Sequence, residues 1–214
     1  FPLAKTNLLA PEKISFKDQA FAFVSNQNPG FIPTLYVSDL GNDQPIPVSS
    51  SPIPFSEPIW ISNELIALAQ RLDFGVEYAN SVTLTNIKTQ TTTQLNYLSS
   101  AESYAFNTNQ VAYTKKGILF IQNLVTPSQQ PSSKLLNIQT NSPLVWLNSN
   151  TIVAIQVPPD TNNHLLTIIN TQSFTTTSVS IPTTEEITSI KVSPDNSRTI
   201  TTNTNNEVFV STLP

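Results

Sequence analysis

The stretch VWLNSNTIVAIQVPPDTNNHLLTIINTQSFTTTSVSI, residues 145–181, decides the fold. It opens with an apolar triplet, Val145-Trp146-Leu147, then a polar turn and a second apolar run, Ile152 to Ile155. A third run covers Leu165 to Asn170, and a hydroxyl-rich fourth covers Thr176 to Ile181. Each run is short, rich in β-branched residues, and bounded by Asn, Ser or Pro, which are strand and turn signals.

The same unit recurs on both sides. Ile14-Ser15-Phe16 precedes Ala20 to Phe23, and Ile59-Trp60-Ile61 precedes Leu65 to Leu68. Tyr104-Ala105-Phe106 precedes Val111 to Tyr113, and Ile190-Lys191-Val192 precedes Thr199 to Thr201. Successive triplets start 45, 45, 41 and 45 residues apart. A third strand follows each pair: Leu35 to Leu40, Val82 to Ile87, Ile118 to Leu124 and Val208 to Leu213. A more polar fourth is expected at Pro45 to Ser49, Thr92 to Leu98 and Lys134 to Gln139, as at Thr176 to Ile181. Four strands every forty-odd residues is the period of a propeller blade. One such sheet has two apolar faces and cannot bury both alone. Stacking the sheets around an axis buries each face on a neighbour, so inner strands read as continuous apolar runs and the outer one as Thr, Ser and Gln. The best helix candidate, Asn63 to Arg71, fits a strand equally well.

The expectation is an all-β, five-bladed β-propeller of four-stranded antiparallel blades, with residues 1–214 as one domain. The fifth unit lacks a fourth strand, and an orphan extended segment, Pro2 to Leu9, precedes the first. That segment is expected to close the last blade as its outer strand, removing an exposed edge. The rival is a piece of a longer propeller. The chain starts at Phe1 and contains no Met, so a leader, tag or neighbouring domain is expected to have been removed.

The fifth unit reads Val192-Ser193-Pro194-Asp195-Asn196-Ser197-Arg198-Thr199-Ile200. It resembles the Ser-Pro-Asp-Gly turn of the WD40-like repeats of TolB-type and peptidase-associated β-propellers. Leu35 to Leu40 resembles the third strand of the same repeat. Asn196 stands where the family usually has Gly, and Asn tolerates the left-handed conformation that the turn needs. The resemblance implies a propeller fold and a broad role as a binding platform, and no chemistry by itself.

Composition narrows the function. Of 214 residues, 27 are Thr, 24 Ser, 22 Asn and 13 Gln, while only 11% are charged. Zero Cys excludes disulfides, thiolate catalysis and Cys-based metal sites, and a single His excludes a multi-histidine centre. A net charge of −4 argues against nucleic acid and against an anionic membrane surface. No apolar stretch approaches the roughly 20 residues of a transmembrane helix. The composition agrees with an extracytoplasmic bacterial protein, and no Asn-x-Ser/Thr acceptor occurs. There is no Gly-x-Ser-x-Gly elbow and no phosphate-binding glycine loop, so no cofactor is expected.

Loops between second and third strands share one face of a propeller. Three are long here: Val24 to Pro33, Gln70 to Asn80 and Gln156 to His164. The second gathers Arg71, Asp73, Phe74, Glu77 and Tyr78, and the first adds Phe31. These are side chains typical of interface hot spots, and they form the expected partner-binding patch. Packing of the three aromatics over their own sheets is the alternative. Glu12, Glu57 and Glu102 each stand two residues before a first triplet. At equal levels near a channel mouth, they form a candidate site for a hard cation or the acid–base pair of a glycoside hydrolase. Exposed polar starts to equivalent repeats are the plainer reading. His164 is expected on a surface loop, Asp195 is expected to hold its turn, and Lys115-Lys116-Gly117 is read as a hairpin tip.

The function expected is therefore a non-catalytic binding or scaffold module. It presents its loop face to a protein partner in an extracytoplasmic, bacterial envelope assembly. The alternative is a carbohydrate-binding or carbohydrate-active propeller using the carboxylates.

Overall fold

Antiparallel meanders account for all the strands described in the computed structural model, which describes residues 14–17, 20–25, 34–39, 45–50, 58–73, 78–124, 129–159 and 163–213. The chain divides into two compact units, Phe1–Ser100 and Ala101–Pro214. The first unit holds two four-stranded sheets. One is β1 (Ile14–Lys17), β2 (Ala20–Ser25), β3 (Thr34–Asp39) and β4 (Ile46–Ser50). The other is β5 (Ile59–Trp60), β6 (Leu65–Asp73), β7 (Tyr78–Asn86) and β8 (Thr91–Gln94).

The second unit holds three sheets. The third sheet is β9 (Ser103–Phe106), β10 (Gln110–Lys115), β11 (Ile118–Asn123) and β12 (Ser132–Leu135). The fourth is β13 (Val145–Asn148), β14 (Thr151–Gln156), β15 (His164–Asn170) and β16 (Thr176–Ile181). The fifth is β17 (Ile187–Val192), β18 (Arg198–Asn203) and β19 (Val208–Thr212), three strands among the described residues. In every sheet the spatial order is the chain order. The segment Pro2 to Leu9 lies outside the described residues.

The packing within the second unit explains the apolar runs. Ile152, Val153, Ala154 and Ile155 of β14 are all fully buried. Successive strand residues face opposite ways, so both faces of the fourth sheet are covered. Ile152, Ala154 and Ile169 pack with Ala112, Leu119 and Ile121 of the third sheet. Val153, Ile155 and Leu166 pack with Ile187 and Ile190 of the fifth. The first strands β9, β13 and β17 are neighbours in turn, and the Trp146 indole N–H donates to the Ala105 carbonyl across the first pair at 2.9 Å. In the first unit, β1 and β5 are likewise neighbours.

The abundant hydroxyls have structural duties. Thr85 stands opposite Thr92, Ser103 opposite Thr114, and Thr167 opposite Ser178. Each pair is joined by its hydroxyls, at 3.4, 2.8 and 2.9 Å. Buried Thr85, Thr114 and Thr167 thus keep partners, and their β-branched shape suits the strand. Asparagines close the turns. The Asn86 side-chain oxygen accepts the N–H groups of Lys88 and Thr89, and Asn170 accepts those of Gln172 and Ser173 at the equivalent turn.

Two outer strands end earlier than the sequence pattern indicates. The run expected over Thr92 to Leu98 stops at Gln94, and a 3-10 turn, Asn96–Leu98, follows. That turn buries Leu95 and Leu98, whose apolar side chains do better in the core than on an exposed outer strand. The run expected over Lys134 to Gln139 is also cut. β12 ends at Leu135, Asn137 adopts φ 51°, and Ile138 bridges to Gln156 of the next sheet. The chain changes sheets there because Asn accepts the left-handed turn and Ile138 gains a buried place.

The Ser-Pro-Asp-Asn turn between β17 and β18 is held by Asp195. Its Oδ1 accepts from the Ser193 hydroxyl at 2.5 Å and the Ser197 N–H at 3.1 Å. Its Oδ2 accepts from the Ser197 hydroxyl at 2.8 Å. Asn196 takes φ 56°, the left-handed conformation anticipated for the position.

Two measurements check this account. Ile152→Ala should cost about 2–5 kcal/mol in urea unfolding, whereas Thr177→Ala on exposed β16 should stay within about 0.5 kcal/mol. Hydrogen bonds from Ser193 and Ser197 hold the Asp195 carboxyl down to about 2. A carboxylate held below its ordinary value favours the folded turn above that ordinary value, and the benefit is lost as pH falls through the lowered one. Carbon-detected titration should therefore place the Asp195 midpoint near 2, and Ser193→Ala should raise it.

Candidate functional site

In the first unit, the β6–β7 hairpin positions part of the expected partner patch. β6 and β7 pair over their full length, from Leu65↔Asn86 to Asp73↔Tyr78. β5 reaches only Ile66 and Ala67, and β8 only Thr83 to Asn86. Among the described residues, the end of the hairpin is thus a two-stranded ribbon extending past its sheet. The supposed loop from Gln70 is strand as far as Asp73, and strand resumes at Tyr78. Arg71 stands opposite Asn80 and Asp73 opposite Tyr78, two register steps apart. The ribbon brings Arg71, Asp73 and Tyr78 together. Phe31, Phe74 and Glu77 lie outside the described residues, as do Glu12 and Glu57.

In the second unit, the turns between second and third strands gather at one end with the connections between sheets. The β10–β11 tip is Lys116 at φ 51° and Gly117 at φ 75°, the two-residue hairpin turn that requires positive φ at both positions. A Cβ on Gly117 would meet the Asn137 backbone at 3.4 Å, an ordinary contact, so the positive φ and not crowding favours glycine here. The Gly117 carbonyl accepts the N–H groups of Leu136 and Ile138, and the Asn137 carbonyl accepts that of Val157.

An open depression of about 530 Å³ lies at this end. It is lined by backbone and side chains of Gly117, Asn137, Gln139, Asn141, Val157 and Glu186, with Ile138 and Thr140. Its floor is fixed by Gln139, a buried side chain that does the work of a peptide group. Its Nε2 donates to the Ile187 carbonyl at 3.0 Å, and its Oε1 accepts the Ile187 N–H at 3.1 Å. Ser142 adds a second brace, its hydroxyl oxygen accepting the Ile155 N–H at 2.9 Å. Asn137, Thr140, Asn141 and Glu186 are exposed. The depression therefore offers neutral hydrogen-bonding groups and one carboxylate on a fixed frame.

Glu102 has a local task. Its Oε1 accepts the Lys116 N–H at 2.8 Å and steadies the hairpin tip. Its Oε2 is buried without a hydrogen-bond partner among the described residues. No group of three or more His, Asp and Glu residues suited to a metal occurs among the described residues. Beside the tip, burial pushes the Lys115 ammonium down and the Tyr113 hydroxyl up.

His164 corrects an expectation. It is 6% exposed, pairs with Ile181 as the first residue of β15, and its Nδ1 lies 3.2 Å from the Thr183 carbonyl. Adjacent Asn203 donates to Thr183 Oγ1 and to Glu207 Oε2. The ring is drawn in because its nitrogen serves the connection between the fourth and fifth sheets. Gln139 and Glu186 were likewise not legible as site residues from the pattern along the chain. The one available signal was the pair Asn137 and Asn141, turn-forming residues inside a supposed strand and its flank.

No protein-family model and no curated protein sequence matches the chain. Solved structures do. Hsv2 of Kluyveromyces lactis is similar at a TM-score of 0.64 and 15% identity, over 93% of this chain and 61% of that one. TolB from Acinetobacter baumannii is similar at 0.53 and 11%, over 90% and 51%. An oligogalacturonate lyase in complex with manganese is similar at 0.60 and 13%, over 91% and 62%. The chain thus spans about half to three-fifths of these three structures. They are propeller-type folds, and at such identities the likeness establishes the fold alone.

Gln139→Leu should leave the Ile187 N–H and carbonyl unpaired, costing about 1–3 kcal/mol for each group. Faster amide exchange at Ile187, with little change at Val153, would be the local sign in hydrogen-exchange mass spectrometry.

Proposed function

We propose that the chain is a non-catalytic binding module that receives a protein partner on its strand-connecting loops. The observation that carries this reading is the depression built on Gln139, whose rim is exposed Asn137, Thr140, Asn141 and Glu186 over a braced backbone. A fixed frame loses little entropy on binding, which suits recognition more than chemistry. The rim offers one carboxylate and no base or nucleophile beside it. In the first unit, the β6–β7 ribbon with Arg71, Asp73 and Tyr78 is the second contact element; Phe31, Phe74 and Glu77, outside the described residues, are assigned to the same patch from the sequence alone. The uncharged polar composition supports a place outside the cytoplasm, in a bacterial envelope assembly. No helix among the described residues is long and apolar enough to cross a membrane.

A second reading, carbohydrate binding, is favoured by the amide and hydroxyl groups of Asn137, Thr140 and Asn141 around Glu186. It lacks an aromatic platform among the lining residues.

A photo-crosslinking amino acid at position 78 or 141, in the envelope fraction of the encoding organism, should give a discrete protein adduct. The same group at exposed Thr177 on β16 should give none. Equal labelling at all three positions, or labelling at none, would overturn the protein-partner reading. Thermal stabilisation by an oligosaccharide, abolished in Thr140→Val or Glu186→Gln, would transfer the site to the carbohydrate reading.

A further inference from the structure

We draw no further inference here: the strongest candidate, the side-chain cluster at the connection between the fourth and fifth sheets where buried His164 meets the Thr183 carbonyl beside Asn203 and Glu207, carries nothing, because residues 160–162 next to it lie outside the described residues and nothing in the structure shows what else faces the ring.

Discussion

A β-sheet that is apolar on both faces has no stable existence by itself, and the rest of this structure follows from that constraint. β14 is its clearest expression, since four successive buried residues send side chains in both directions. Such a strand requires a sheet above and a sheet below, and the third and fifth sheets supply them. The forty-odd-residue rhythm is the cost of one such layer: two inner strands that must be apolar, a third that is nearly so, and an outer one that meets water. The outer strands β8, β12 and β16 are accordingly written in Thr, Ser and Lys, with almost nothing to bury.

Stacking places the interesting residues at the ends of the strands, and it explains an odd composition. The chain has only four Gly against 22 Asn. Asn137, Asn141, Asn196 and Asn206 take the positive φ values that glycine would take elsewhere. Asn86 and Asn170 close equivalent turns with their side chains. An asparagine turn has fewer unfolded conformations to lose than a glycine turn, and its amide can also bond to its surroundings. Asn196 illustrates both, holding a left-handed turn while its Nδ2 donates to the Leu147 carbonyl of the neighbouring sheet. Gly117 is kept at the second position of a two-residue hairpin turn, where φ is 75°.

The layers were legible in the sequence because burial imposes a pattern. The triplets at Ile14, Tyr104, Val145 and Ile190 fall on first strands, the one at Ile59 does so for Ile59 and Trp60, and the Ser-Pro-Asp-Asn turn folds as its residues suggest. What escaped is what a period of two does not encode. Leu136 and Ile138 keep strict alternation while the chain leaves one sheet for the next, so the pattern cannot mark the crossing. Leu95 and Leu98 look like strand residues and instead fill the core from a short turn. The β6–β7 hairpin continues past its neighbours by backbone pairing from Gln70↔Ser81 to Asp73↔Tyr78, through a stretch whose mixed polar sequence reads as a loop. His164 escaped for a different reason. Its burial depends on a carbonyl at Thr183, contributed by the start of the connection after β16, and no local pattern announces a partner nineteen residues away.

The candidate site was harder to read than the fold because its key residues act through backbone. Gln139 matters for the Ile187 peptide that it holds, and Glu102 for the Lys116 N–H that it accepts. Both look unremarkable as side chains in a list of polar residues. Gln139 braces the connection after the third sheet against the fifth, and Glu102 braces the entry to the third sheet against that sheet's own hairpin tip. The loop end is polar and held on a hydrogen-bonded frame, with Gln139 and Ser142 beneath exposed Asn137, Thr140 and Asn141. A layered fold makes this division unavoidable, since its connections can be left to solvent, whereas an inner strand such as β14 cannot.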